Sequence, residues 1–213
     1  MVGQINLGSK LGDKIFELAS NPAYTSFVEI GTWNGEGSTK CFIDGLKSRD
    51  DDEWEFYSLE SDRAFFDSAT KYYGEFPEKY KEKINLIHGT ILEDPVASMK
   101  DSGFDLDSLK EQQEYKPQYE TFLANDLIAY QECPCVMSCI PEHIDVVLLD
   151  GGEFTTYAEF LALVDRTKVF ILDDSNMLKT KKAKGVLAES SQWTLLLGGS
   201  DRNGFCIFEK SHS

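Results

Sequence analysis

At 213 residues, 41% hydrophobic and 12% aromatic, the chain supports one sizeable core and is short for two, so a single domain over 1–213 is the expectation. Its 37 acidic residues against 21 basic give a formal net charge of -16, which excludes a partner held mainly by neutralised phosphates and so argues against nucleic acid and an anionic membrane surface. A cationic cofactor or a divalent metal suits such a chain better.

Taken in chain order, residues 9–20 place Leu11, Ile15, Phe16 and Leu18 at helical spacing, and Asn21-Pro22 stops the helix. Ser26–Ile30 reads as a short apolar strand, and the turn Gly31-Thr32-Trp33-Asn34-Gly35-Glu36-Gly37 leads into a helix over Ser38–Lys47. The unit repeats: Trp54–Leu59 as a strand, Asp62–Tyr73 as a helix, Ile84–His88 as a third strand before Gly89. Such alternation predicts a parallel sheet with helices on its faces.

Residues 95–140 break this rhythm with a long polar, acidic stretch that contains Gln112-Gln113-Glu114-Tyr115 and Pro117. It exceeds what a strand-to-helix connection requires. It reads either as a solvated helical insertion or as a lid, substrate cap or oligomer arm that shapes an acceptor pocket. Cys133, Cys135 and Cys139 end it, with His143 nearby; a zinc site and plain packing are the alternatives there. With Cys41 and Cys206 they make an odd total, as reduced thiols in a cytoplasm would. The N-terminus has neither a basic nor an apolar leader region, and no run approaches the length of a membrane span.

Val146–Leu149 and Val169–Leu172 are continuous apolar runs that each end in aspartate, as central strands buried on both faces do. Trp193–Leu197 and Phe205–Phe208 lie too close for a crossover helix and predict an antiparallel hairpin.

The turn after the first strand carries the first functional signal. Its glycines allow close ligand approach, and Glu29, two residues before Gly31, places negative charge where a dinucleotide enzyme would hold pyrophosphate. That charge favours an ammonium and a sulfonium over phosphates. Glu29-Ile30-Gly31 with Gly35 and Gly37 resembles motif I of the class I S-adenosylmethionine-dependent methyltransferases. The resemblance implies a Rossmann-like, doubly wound α/β sheet, mostly parallel, with strand order 3-2-1-4-5-7-6 and a C-terminal antiparallel hairpin. It also implies cofactor contacts from Glu29, Gly31, Thr32, Trp33, Asn34, Gly35 and Ser38 around the methionine end. Glu60, ending the second strand, falls where the family holds the ribose hydroxyls; Gly89 and Thr90 fall near the adenine, and Asp150 closes the cofactor site. An acidic strand end is common without such a role, and His88 reads more simply as a satisfied core histidine.

Asp150, Asp173 and Asp174 sit at the carboxyl ends of neighbouring strands, and like charges so placed are costly unless a cation neutralises them. Oxygen ligands suit magnesium or manganese; helix capping is the alternative. The same aspartates resemble the metal ligands of metal-dependent O-methyltransferases that act on macrolide sugars and catechols, a likeness that spans the chain outside 95–140. It implies Glu153 as the base that deprotonates the acceptor, with Asp150 second; Glu153 also suits the start of a helix, where negative charge is favourable. Residues 149–160 are similar to polysaccharide-modifying methyltransferases of bacteria and large algal viruses. The function this implies is methyl transfer to a hydroxyl of a sugar or glycan, in the cytoplasm, or the host cytoplasm if the source is viral. Lys179, Lys181, Lys182 and Lys184 form the one dense basic cluster, either a solvated helix face or a contact to an anionic acceptor or the cofactor carboxylate.

An NAD-dependent oxidoreductase would also use the glycine turn and Glu60, a metal-dependent glycosyltransferase would use the aspartate pair on a diphosphate, and a non-catalytic binding module would keep the turn alone. The polar ends Met1-Val-Gly and Ser211-His-Ser fit an excised domain as well as a whole protein. A homo-oligomer and a place in a larger glycan-synthesis polypeptide both stay open.

Overall fold

The computed structural model describes residues 5–101, 103–104, 110 and 116–211. Its strands are β1 (Ser26–Ile30), β2 (Glu55–Glu60), β3 (Ile84–His88), β4 (Ile144–Leu149), β5 (Thr167–Asp173), β6 (Trp193–Gly199) and β7 (Phe205–Lys210). The helices among the described residues are α1 (Lys10–Ser20), α2 (Ser38–Lys47), α3 (Arg63–Tyr73), α4 (Pro95–Asp101), α5 (Gln118–Tyr130), α6 (Thr156–Leu163) and α7 (Leu178–Glu189). None of them is long and apolar enough to cross a membrane.

The strands form one sheet in the order β3-β2-β1-β4-β5-β7-β6. β1 to β5 are parallel, and β7 inserts antiparallel between β5 and β6. This is the Rossmann-like arrangement with a C-terminal hairpin that the sequence predicts. Burial on both faces explains the continuous apolar runs. In β4, Val146 and Leu148 face one core with Phe27, Phe42 and Ile15, while Val147 and Leu149 face the other with Phe160, Phe170 and Leu163.

The strand starts differ from the apolar runs for local reasons. Trp54 precedes β2, and its ring stacks on Tyr80 with centroids 5.9 Å apart. β4 reaches back past Asp145, whose carboxylate accepts the amides of Thr25 (2.7 Å) and Ser26 (3.2 Å) and ties the strand's polar start to β1. α1 starts at Ser9, whose hydroxyl accepts the Gly12 amide, and α3 at Asp62, which caps Ala64 and Phe65.

Within the long insertion, α5 packs Tyr119 and Tyr130 against Met99, Phe154 and Met177. Phe154 follows β4 and Met177 follows β5, so α5 is seated over the carboxyl ends of those strands. Gln112-Gln113-Glu114-Tyr115 lie outside the described residues. The cysteine segment docks on β3 instead: the Thr90 amide donates to the Pro134 carbonyl (3.0 Å), and the Val136 amide to that of Thr90 (2.8 Å).

Candidate active site

Strand order reverses between β1 and β4, where an open α/β sheet leaves a crevice at the carboxyl ends of its strands. A cavity of about 640 Å³ lies there, within the range of small-molecule and cofactor sites.

One half is built by the turn after β1. Gly31 has a φ of +103°, and a Cβ on it would stand 2.4 Å from the Asp150 carbonyl oxygen, so only glycine lets β1 and β4 approach here. Trp33 follows with φ +50° and donates its amide to Glu60 at 2.6 Å; Asp62 donates its amide to the other Glu60 oxygen at 2.9 Å. Burial pushes the Glu60 carboxyl up to about 7, against the pull of those amides. Gly31, Thr32, Trp33, Ser38, Glu60, Gly89, Thr90 and Asp150 all border the cavity.

Three of the expected cofactor contacts do not. Glu29 is fully buried (0% exposed) and accepts hydrogen bonds from the hydroxyls of Ser38 (2.5 Å), Thr39 (2.7 Å) and Ser58 (2.5 Å). Its side chain lies on the core side of β1, so it braces the turn from beneath. Burial lifts its carboxyl to about 7, against those three hydroxyls. Asn34 accepts the Glu36 amide (3.1 Å), and Gly35 takes the Tyr73 hydroxyl on its carbonyl (2.6 Å). Both shape the turn from outside the cavity. His88 has the plain structural role, its ring on the Ser61 carbonyl and beside Phe66.

The other half gathers the acids. Asp150, Asp173 and Asp174 each offer a carboxylate oxygen within 4.8 Å of the others, and Asp150, Asp174 and Glu153 border the cavity while Asp173 lies beneath at 2% exposure. Among the described residues no second group of metal-ligating side chains forms, so the cysteine cluster and His143 do not make one. The aspartates are a donor set of the kind magnesium or manganese takes, but the seat between them is filled by the chain itself.

Lys179, 7% exposed in the first turn of α7, hydrogen-bonds Asp150 through its ammonium, which stands 3.0 Å from Asp174. Arg202, from the β6–β7 turn, places a guanidinium nitrogen 3.1 Å from Asp173 and 3.9 Å from Asp174. A metal bound to Asp150 and Asp174 at about 2.1 Å would overlap the ammonium. The three aspartates on which a metal is expected do come together, and two side-chain cations face them in the folded site.

Burial and these cations act in opposite directions on the cluster. Burial raises Asp174, but Lys179, Asn203 and Arg202 outweigh it and hold the carboxyl below its ordinary value. Asp173, more deeply buried and flanked by two like charges, is pushed up to about 7. Burial alone would lower Lys179; Asp150 and Asp174 more than reverse that, so the ammonium stays charged. Glu153 is raised by burial, partly opposed by Lys179 charge and by the Lys179 amide it accepts at 3.3 Å.

Four contributors carried no assigned role in the sequence. Asp126 and Tyr130 enter from α5 and Glu159 from α6, and Arg202 comes from the hairpin turn. Burial pushes Asp126 to about 7 and Glu159 to about 8, each raised further by neighbouring acids. Position in an acidic insertion or on a helix gave no sign of this; the burial arises from long-range packing. Lys179 is likewise not on a solvated face, unlike exposed Lys181 and Lys182.

No protein-family model matches the chain, and no curated protein matches it. Solved structures do. An O-methyltransferase from Bacillus cereus in complex with SAH is 15% identical at a TM-score of 0.57, covering 99% of this chain and 84% of that one. The O-methyltransferase TomG from Streptomyces achromogenes, in complex with SAM, is 14% identical at 0.55, over 98% and 82%. The SAH-bound methyltransferase PaMTH1 from Podospora anserina is 12% identical at 0.55, over 94% and 78%. At such identities the likeness is one of fold.

Proposed function

We propose that this chain is an S-adenosylmethionine-dependent O-methyltransferase acting on a hydroxyl of a sugar or glycan. One observation carries the reading: a single cavity runs from the glycine turn and Glu60 to Glu153 and Asp150, so that one ligand half and one acidic half open on the same space. The fold shared with three methyltransferases, two solved with SAH and one with SAM, agrees with it.

S-adenosylmethionine supplies an activated methyl group on a sulfonium. Gly31 borders the cavity that would take it, and Glu60, at the end of β2, offers acceptor lone pairs to a pair of hydroxyls. In the acidic half, Glu153 takes the acceptor's proton. Burial keeps its carboxyl raised toward the working pH, which suits a general base. The acceptor oxygen forms the new C–O bond as the C–S bond breaks, the electron pair staying on sulfur. Asp150, held by Lys179, is the fixed acceptor that orients the incoming hydroxyl. No step is assigned to a divalent metal, because Lys179 holds its seat.

The polyhydroxylated acceptor is supported by the lining from α5, where Gln118, Asn125 and Asp126 offer several hydrogen-bonding groups beside Phe122. In this reading the insertion caps the substrate.

Calorimetric titration with S-adenosylhomocysteine, and with NAD as control, tests the class. Micromolar binding of the first alone supports it. Tight NAD binding would favour the oxidoreductase, and binding of neither would refute the cofactor assignment.

A further inference from the structure

We infer that Lys179 is the built-in cation of this active site, standing where a divalent metal would bind, so that the Asp150, Asp173 and Asp174 cluster works without one. The geometry alone places it there. The ammonium donates to Asp150 and stands 3.0 Å from Asp174, two of the three oxygens that a metal would need. The side chain is 9% exposed, and Thr180 beside it fixes the start of α7 by donating its hydroxyl to the Asp173 carbonyl at 2.8 Å. α7 is thus tied to the strand that carries the acids.

The charge count agrees. Three carboxylates meet two side-chain cations, Lys179 facing Asp150 and Asp174, and Arg202 facing Asp173 and Asp174. Adding a dication would bring it against a charged ammonium inside one small space, a repulsion of many kcal/mol even at an effective dielectric of about 20.

Lysine also gives the site something a metal does not. An ammonium has three donors. With two directed at Asp150 and Asp174, the third is available to an acceptor oxygen, and it bears on charge that develops there as the proton leaves. This last role rests on the methyl-transfer reading; the exclusion of metal does not.

The test is manganese binding, followed by electron paramagnetic resonance and calorimetry, on the full chain and on Lys179→Met and Lys179→Arg, with S-adenosylhomocysteine titrated in parallel. The parent chain and Lys179→Arg are expected to bind no manganese. Lys179→Met is expected to gain one site, at least about 100-fold tighter, and to lose it again when Asp150→Asn is added. A single manganese site in the parent chain that Asp150→Asn removes would overturn the inference, as would a folded Lys179→Met that binds none. If Lys179→Met does not fold, the parent chain decides alone: its manganese silence, with Lys179→Arg equally silent, supports the inference, and a stoichiometric site overturns it. Loss of homocysteine-ligand binding in the parent chain would fail the methyltransferase reading and leave the manganese result standing.

Discussion

Gly31→Ala isolates the contact on which the cavity depends. The residue has φ +103°, where an L side chain is strained by about 1–3 kcal/mol. Its new Cβ would also meet the Asp150 carbonyl oxygen at 2.4 Å and the carbonyl carbon at 2.7 Å. Those are backbone atoms, and Asp150 cannot retreat freely because its amide donates to the Ile30 carbonyl at 2.9 Å. Overpacking of this kind costs a further ~1–3 kcal/mol, for a total of about 2–6 kcal/mol. Gly74→Ala is the matched control, with φ +59° and nothing within 4 Å of its Cβ, so it pays the backbone strain alone. Urea unfolding of both variants gives the difference, which is the steric part. Gly31→Ala is also expected to weaken S-adenosylhomocysteine by at least about tenfold, since a displacement of about 1.4 kcal/mol suffices. Equal destabilisation of the two variants, or unchanged ligand affinity in Gly31→Ala, would refute the assignment of Gly31 as the point of close approach.

Glu153→Gln keeps the shape of the side chain and removes its basicity. Methyl transfer is expected to fall by about 10²–10⁴-fold with S-adenosylhomocysteine affinity unchanged, measured by single-turnover kinetics and calorimetry; an unchanged rate would transfer the base role to Asp150. For pH, burial lifts the Glu29 carboxyl from 4.5 to about 7, so the folded chain holds a proton that the unfolded chain releases. The stability this contributes is fully present below 4.5 and is lost as pH rises through about 7, an effect on the order of 3 kcal/mol. Glu29→Gln should therefore lose less stability than the parent between about pH 4.5 and pH 7, read as urea midpoints; an identical pH slope would contradict it.

The fold was legible because its signals are local or periodic. Val146–Leu149 and Val169–Leu172 could be read as central strands from composition alone, and the five residues between β6 and β7 were too few for a crossover. The glycine turn, Glu60 and the three aspartates were legible for the same reason, since each sits at a strand end. The role of Glu29 was not. Its position two residues before Gly31 says that a carboxylate is near the turn, but strand alternation sends the side chain to the face opposite Val28 and Ile30, under the hydroxyls of Ser38, Thr39 and Ser58. Nor could the lysine cluster be divided from sequence. Lys179 and Lys182 lie three residues apart on one helix, yet the first is buried and the second exposed.

The backbone carries a related signature. Among the described residues the non-glycine positions with positive φ are Trp33, Asp174 and Arg202, and all three border the cavity. Each such residue costs about 1–3 kcal/mol unless its surroundings over-determine it, and here the surroundings do. Trp33 is fixed by its amide on Glu60, Asp174 by Lys179 and by the Asn203 side chain at 3.0 Å, and Arg202 by the acids it faces. The strained conformations hold Asp174, just past β5, and Arg202, in the β6–β7 turn, facing one another. A metal ion would gather three carboxylates by itself. A site that gathers them with side chains must hold those side chains in place, and the positive φ values mark where the backbone does so.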